Sequence, residues 1–202
     1  MLSRLLSALT SPGVTTIYGE YAAGKTTLAL TAASRACRRS TCLYITTEGT
    51  EFIERAVQIG VPLENLEVAD IIDVYDYTTV VARLSRRHPY RLIVVDSVNA
   101  PIRRAEEPGS AEVYTLLVAF MKRYSAENAS SIILTAQVTA GEEDEHPAYW
   151  PPLRAYSDRV VRVEKLGASL RRALLTPGGL TACFLLTARG LRGAPCPSGG
   201  GG

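Results

Sequence analysis

Val14-Thr15-Thr16-Ile17-Tyr18-Gly19-Glu20-Tyr21-Ala22-Ala23-Gly24-Lys25-Thr26-Thr27 opens on a β-branched, aromatic run, passes through a glycine-bounded loop and enters an Ala/Leu/Thr-rich segment. Residues 14–18 read as a strand, and the segment from Lys25 to about Arg38 reads as a helix. Gly19 to Thr26 fits GxxxxGK[ST] without a mismatch, in the strand-loop-helix setting that gives this pattern its meaning. Glycines let backbone amides wrap a phosphate, and the helix N-terminus adds partial positive charge. Lys25 brings a cation to the β- and γ-phosphates, and the Thr26 hydroxyl suits Mg²⁺. The loop therefore predicts ATP with Mg²⁺, held by Gly19, Glu20, Tyr21, Ala22, Ala23, Gly24, Lys25, Thr26 and Thr27.

Strands and helices alternate outward from this loop. Leu2, Leu5, Leu6 and Leu9 have helical spacing, and Ser11-Pro12-Gly13 ends that helix. Thr41 to Thr46, Leu66 to Ile71, Leu92 to Val95 and Ser131 to Ala136 read as strands. Thr50 to Ile59, Asp76 (a candidate cap) to about Arg87, and Glu112 to about Ser125 read as helices. Leu92-Ile93-Val94-Val95 is apolar at every position, as in a strand covered on both faces. The alternation predicts an α/β fold with a mainly parallel sheet flanked by helices. After residue 157 the pattern changes. Val160 to Val163, Arg172 to Leu175 and Cys183 to Leu186 read as consecutive strands joined by Gly and Pro turns, an antiparallel extension at the C-terminal edge.

Two carboxylates end strands on the side where ligands of open α/β sheets bind. Asp96 follows Leu92 to Val95 and is the candidate second metal ligand beside Thr26, acting through water because Mg²⁺ retains several waters. Glu48 follows Cys42-Leu43-Tyr44-Ile45 and can polarise an attacking water. Gln137, after Ile132 to Ala136, can sense the γ-phosphate through its amide. Glu48, Lys25 and Gln137 form the candidate catalytic set.

Composition limits the remaining options. With 22 Lys+Arg against 20 Asp+Glu, the net charge of +2 gives no bulk attraction to nucleic acid or membrane, so any DNA contact must be local. No apolar run approaches the roughly 20 residues that span a bilayer, and a cytoplasmic protein is expected. Cys37, Cys42, Cys183 and Cys196 lack zinc spacing and are expected to be reduced, with a Cys37–Cys42 bridge as the alternative. A single domain is expected over 1–192, followed by a Gly/Pro-rich disordered tail over 193–202.

Taken together, the ordered motifs resemble the RecA family, and specifically its archaeal RadA/RadB recombinase-paralogue branch. The resemblance rests on Val14 to Glu20, Tyr44-Ile45-Thr46-Thr47-Glu48-Gly49-Thr50 with Glu54-Arg55, Asp96-Ser97-Val98, and Leu134 to Val138. It covers about residues 13 to 190. It implies a RecA-like core, an ATPase acting beside a RadA-type recombinase or another paralogue, and Arg55 stacked on adenine. The other reading of Arg55 is a surface arginine in a salt bridge. The family's first DNA-facing loop falls at Asn99 to Gly109, where Arg103 and Arg104 suit single-stranded DNA phosphates or pairing with Glu106 and Glu107. Its second falls at Thr139 to Tyr156. There the run Glu142-Glu143-Asp144-Glu145 would repel a phosphate backbone, and Tyr149-Trp150 either stack on bases or cover the core edge and a partner. Thr46 departs from the Asp usual in recombinases. An ATP-dependent protein-binding switch and a KaiC-like signalling ATPase without a DNA role remain as alternatives.

Overall fold

A computed structural model describes residues 1–86, 89–138 and 146–197. After helix α1 (Leu2–Leu9), the core unit runs β1 (Gly13–Gly19), α2 (Lys25–Ala36), β2 (Cys42–Thr46), α3 (Glu51–Ile59), β3 (Leu66–Asp70), α4 (Asp76–Leu84) and β4 (Leu92–Asp96). It continues through α5 (Ala100–Arg104), α6 (Ser110–Asn128), β5 (Ser131–Gln137), α7 (Trp150–Tyr156) and β6 (Arg159–Lys165). A meander of β7 (Leu170–Thr176), β8 (Leu180–Thr187) and β9 (Gly190–Ala194) completes one sheet in the order β3-β2-β4-β5-β1-β6-β7-β8-β9.

Strands β3 through β6 in that order are parallel, and β6 to β9 are antiparallel. The apolar runs explain the layering. Leu92 and Val94 join one core with Leu28, Leu30, Tyr44 and Phe184, while Ile93 and Val95 join the other with Tyr77, Tyr114, Met121 and Leu134. Successive side chains of a strand point to opposite faces, so a strand covered by helices on both sides has no polar position to spare. Each such side chain contributes about 1.5–3 kcal/mol on burial. Leu5, Leu6 and Leu9 bury the inner face of α1, which packs on α2, β5 and β8 and so bridges the parallel and antiparallel halves.

Several expectations are corrected. Asp73, not Asp76, receives the amides of Tyr75 and Asp76, while Asp76 turns back to the amides of Ile72 and Asp73. The helix expected to reach Arg87 ends at Leu84. The segment assigned to a disordered tail from residue 193 starts inside β9, where Gly193 and Ala194 pair with Phe184 and Cys183. The cysteines are not reduced: Cys37 is bonded to Cys42, and Cys183 to Cys196. The reduced expectation followed from compartment, whereas the fold puts the Cys183 and Cys196 Cα atoms 5.1 Å apart, within disulfide reach. Among the described residues, no helix is long and apolar enough to cross a membrane.

The two bridges close chain segments of different length, with sequence separations of 5 and 13. The longer closure removes more freedom from the unfolded chain, worth about 3 kcal/mol for a loop near this length. Replacing Cys183 and Cys196 by serine is predicted to lower unfolding free energy by about that amount in non-reducing urea titrations, with the slope rising as the freed unfolded chain exposes more surface. The Cys37/Cys42 pair is predicted to cost less.

Candidate functional site

The phosphate-binding loop is shaped by close packing. A Cβ on Gly19 would lie 2.3 Å from the Val163 carbonyl oxygen of β6, so no larger residue fits there. Gly24, with φ +95°, caps α2 in the left-handed region. Lys25 is buried, and its Nζ donates to the carbonyls of Gly19 at 2.9 Å and Glu20 at 2.7 Å. Burial lowers its ammonium to about 8, against the opposing pull of Asp96 and Glu48.

A cavity of about 390 Å³ opens over this loop. Of the predicted nucleotide-binding residues, Tyr21, Ala22, Gly24, Lys25, Thr26, Thr27 and Arg55 line it, as do Glu48, Asp96 and Gln137. Gly19, Glu20 and Ala23 do not. Gly19 lies against β6, Ala23 is wholly buried, and the exposed Glu20 carboxylate pairs with Lys165 at 3.4 Å. Phe52 and Leu186 add apolar wall.

The strand ends bring the carboxylates together. Asp96 accepts from the Tyr44 hydroxyl at 2.5 Å and from the Thr135 hydroxyl, and the Asp96–Ser97 peptide is cis. Tyr44 stacks on Phe52 with centroids 4.1 Å apart. Burial and the Asp96 charge push its phenol well up, so Tyr44 remains a donor. Thr46 Oγ1 donates to the Gly49 carbonyl at 2.9 Å and accepts the Glu48 amide at 3.2 Å, shaping the turn that carries Glu48. Burial, then the nearby Asp96, raise the Glu48 carboxyl, and Lys25 opposes the shift. Buried Asn99 clamps Gln137 through both backbone groups, each at 3.1 Å. Tyr44, Thr135 and Asn99 went unassigned in the sequence because their roles depend on which strands become neighbours.

Arg55 borders the cavity without a carboxylate partner among the described residues. Its guanidinium donates to the carbonyls of Thr187 at 2.7 Å and Ala188 at 2.9 Å and to Gln58 at 3.0 Å. Arg103 and Arg104 lie on the short helix α5 rather than on an irregular loop. Both are exposed, and among the described residues neither forms the ion pair with Glu106 or Glu107 that one reading required. Arg104 reaches the Ile72 carbonyl at 3.4 Å. Of the second expected DNA-facing loop, residues 139–145 with their acidic run lie outside the described residues. Trp150 stacks on His146 at 4.8 Å, meets Tyr18 at 5.3 Å and packs on the core, so it covers the core edge. Among the described residues no group of three His, Cys, Asp or Glu side chains forms a metal cage. A hydroxyl, a carboxylate and nucleotide phosphates are the donor set Mg²⁺ accepts without one.

A family model for the RecA N-terminal domain matches residues 7–124. The chain is 31% identical over 203 residues to the DNA repair and recombination protein RadB of Methanoculleus marisnigri, covering 89% of this chain and 88% of that protein. It is 30% identical over 210 residues to the protein of the same name from Thermococcus kodakarensis, covering 94% of each. Protein RecA of Mycoplasma genitalium is 35% identical over 101 residues, 50% of this chain and 30% of that protein.

The buried lysine generates a pH test. Its folded value of about 8 lies below the ordinary lysine value, so between the two the unfolded chain binds more protons. Stability of the nucleotide-free protein is therefore predicted to rise with pH above 8, by up to about 2 kcal/mol before the buried tyrosines intervene near pH ~10. Lys25→Met should abolish that rise in denaturation curves, and an unchanged rise would remove Lys25 as its source.

Proposed function

The chain belongs to the RecA family, and on that premise we propose that it is an ATP-Mg-binding, slowly ATP-hydrolysing recombinase paralogue serving DNA recombination and repair. One observation carries the reading: Lys25, Thr26, Glu48, Asp96 and Gln137, from four separate strand ends, line one cavity. The relatives named for DNA repair and recombination weigh against a signalling ATPase without a DNA role.

In this reading the loop amides and Lys25 hold the phosphates. Thr26 and Asp96 hold Mg²⁺, which would neutralise phosphate charge. Tyr44 and Thr135 orient Asp96 from behind. Glu48, raised by burial and by Asp96, polarises the attacking water, and the amide of Gln137 faces the terminal phosphate. In-plane hydrogen bonds occupy the Arg55 donors, which leaves the guanidinium faces for stacking on adenine. Arg103 and Arg104 contact single-stranded DNA through phosphates, and a RadA-type recombinase or another paralogue is the proposed protein partner.

Turnover of ATP with and without single-stranded DNA tests the proposal. Glu48→Gln should lower turnover by about 10²–10⁴-fold with ATP affinity retained, as expected for loss of general-base assistance. Turnover surviving in that variant would remove Glu48 from the chemistry. Stimulation by DNA supports the recombination role, and indifference to DNA counts against it. Separately, Arg103→Ala/Arg104→Ala should weaken DNA binding and reduce the log–log salt slope by about 1.4, two phosphate contacts at ~0.7 each. Binding equal to the parent would show that α5 does not contact DNA.

A further inference from the structure

Arg171 lies at an inward position of β7, only 5% exposed, and the described residues offer it no carboxylate. Five backbone carbonyls solvate its charge. Nη1 donates to Gly167 at 2.8 Å, Leu170 at 3.0 Å and Ala168 at 3.3 Å, all in the β6–β7 hairpin. Nε donates to Ala23 at 3.1 Å and Nη2 to Ala22 at 3.2 Å, both in the phosphate-binding loop. Burying a cation is costly unless its donors are satisfied, and here every acceptor is a carbonyl of one of two turns. A buried arginine used only to fill space would be replaceable by an apolar side chain. This one ties the hairpin to the loop.

We propose that Arg171 is a positioning residue that sets the geometry of the phosphate-binding loop from behind. The proposal rests on the ATP-binding reading and extends it to a residue outside the cavity. Carbonyl and amide of a trans peptide point in opposite directions. Gripping the Ala22 and Ala23 carbonyls therefore turns the amides of Ala23 and Gly24 away from the guanidinium. Ala23 N–H closes the loop on Glu20 at 3.2 Å, and Gly24 borders the cavity. The grip coincides with the loop's unfavourable residue. Ala22 has φ +54°, a left-handed conformation that costs a Cβ-bearing residue about 1–2 kcal/mol. Strain of this kind persists where surrounding contacts impose it. Arg171 supplies such a contact at the Ala22 carbonyl itself. Because no carboxylate cancels it among the described residues, its positive charge also adds to the field at the loop.

Calorimetric ATP-Mg affinity and thermal unfolding of the parent, Arg171→Lys and Arg171→Lys/Ala22→Gly test this. Lysine keeps the charge but cannot bridge two turns, and Arg171→Lys should weaken affinity by about tenfold, the scale of a lost charge-assisted hydrogen bond. Adding Ala22→Gly should recover about fivefold of that loss, because glycine reaches the left-handed region without the Cβ cost. A merely structural arginine would show no such rescue. Arg171→Lys affinity within about twofold of the parent, well short of the tenfold expectation, overturns the proposal, and so does a loss that Ala22→Gly leaves unrepaired. If Arg171→Lys does not fold, Arg171→Gln and Arg171→Gln/Ala22→Gly decide: affinity of the former within about twofold of the parent overturns the proposal, and a loss that the glycine repairs upholds it. No binding by the parent itself defeats the nucleotide reading, an outcome distinct from all of these.

Discussion

The strand β6 runs so close beneath Gly19 that the two backbones are in contact, and much of the site depends on that approach. β1 delivers the phosphate-binding loop, but a glycine-rich loop has little rigidity of its own. Here it is pressed from below by the Val163 carbonyl, by Leu186 beneath Gly24 and by the arms of Arg171. The antiparallel meander is thus the floor of the nucleotide site as well as the edge of the sheet. Its attachment is reinforced where α1 packs on β8, and within it Cys196 is bonded back to Cys183. A loop that must direct several amides at once benefits from a rigid support, because preorganised dipoles need no rearrangement when charge arrives.

The electrostatics of the cavity follow from the same crowding. Lys25, Glu48 and Asp96 lie near enough that each shifts another: Asp96 raises Glu48, and both carboxylates hold up a lysine that burial drives down. Asp96 itself accepts from two hydroxyl donors, Tyr44 and Thr135, which fix its direction. The raised basicity of Glu48 suits proton transfer from water better than an ordinary surface carboxylate would. The same arrangement accounts for the cost of the buried lysine, whose charge is most favourable when phosphate adds more negative potential.

Legibility of the sequence varied with the range of the interaction. The loop Gly19 to Thr26 and the apolar run Leu92 to Val95 were readable because motif and period are local, and the strands they mark occur where expected. Glu48, Asp96 and Gln137 were readable as strand ends, and the topology brings them to one cavity. Helix α7 and strand β9 were missed because prolines and glycines there resemble loop composition. Arg171 was missed for a different reason. It lies just outside the strand read from Arg172 to Leu175, and only the register of β7 against its neighbours turns it inward. The cysteine pairs show the same limit, since nothing in the spacing of Cys183 and Cys196 required their strands to meet.

Thr46 shows how a departure from the family pattern is absorbed. An Asp at this position would place a third carboxylate beside Glu48 and Asp96, raising the repulsion that already lifts Glu48. The threonine hydroxyl carries no charge and does two jobs at once, donating to Gly49 and accepting from the Glu48 amide. An ionised carboxylate can only accept, so it could not close the turn through the Gly49 carbonyl. The substitution therefore exchanges charge for a locally satisfied turn in which the Thr46 hydroxyl holds the Glu48 amide. With one negative charge fewer, the cavity opposes an incoming triphosphate less than it would with Asp at this position.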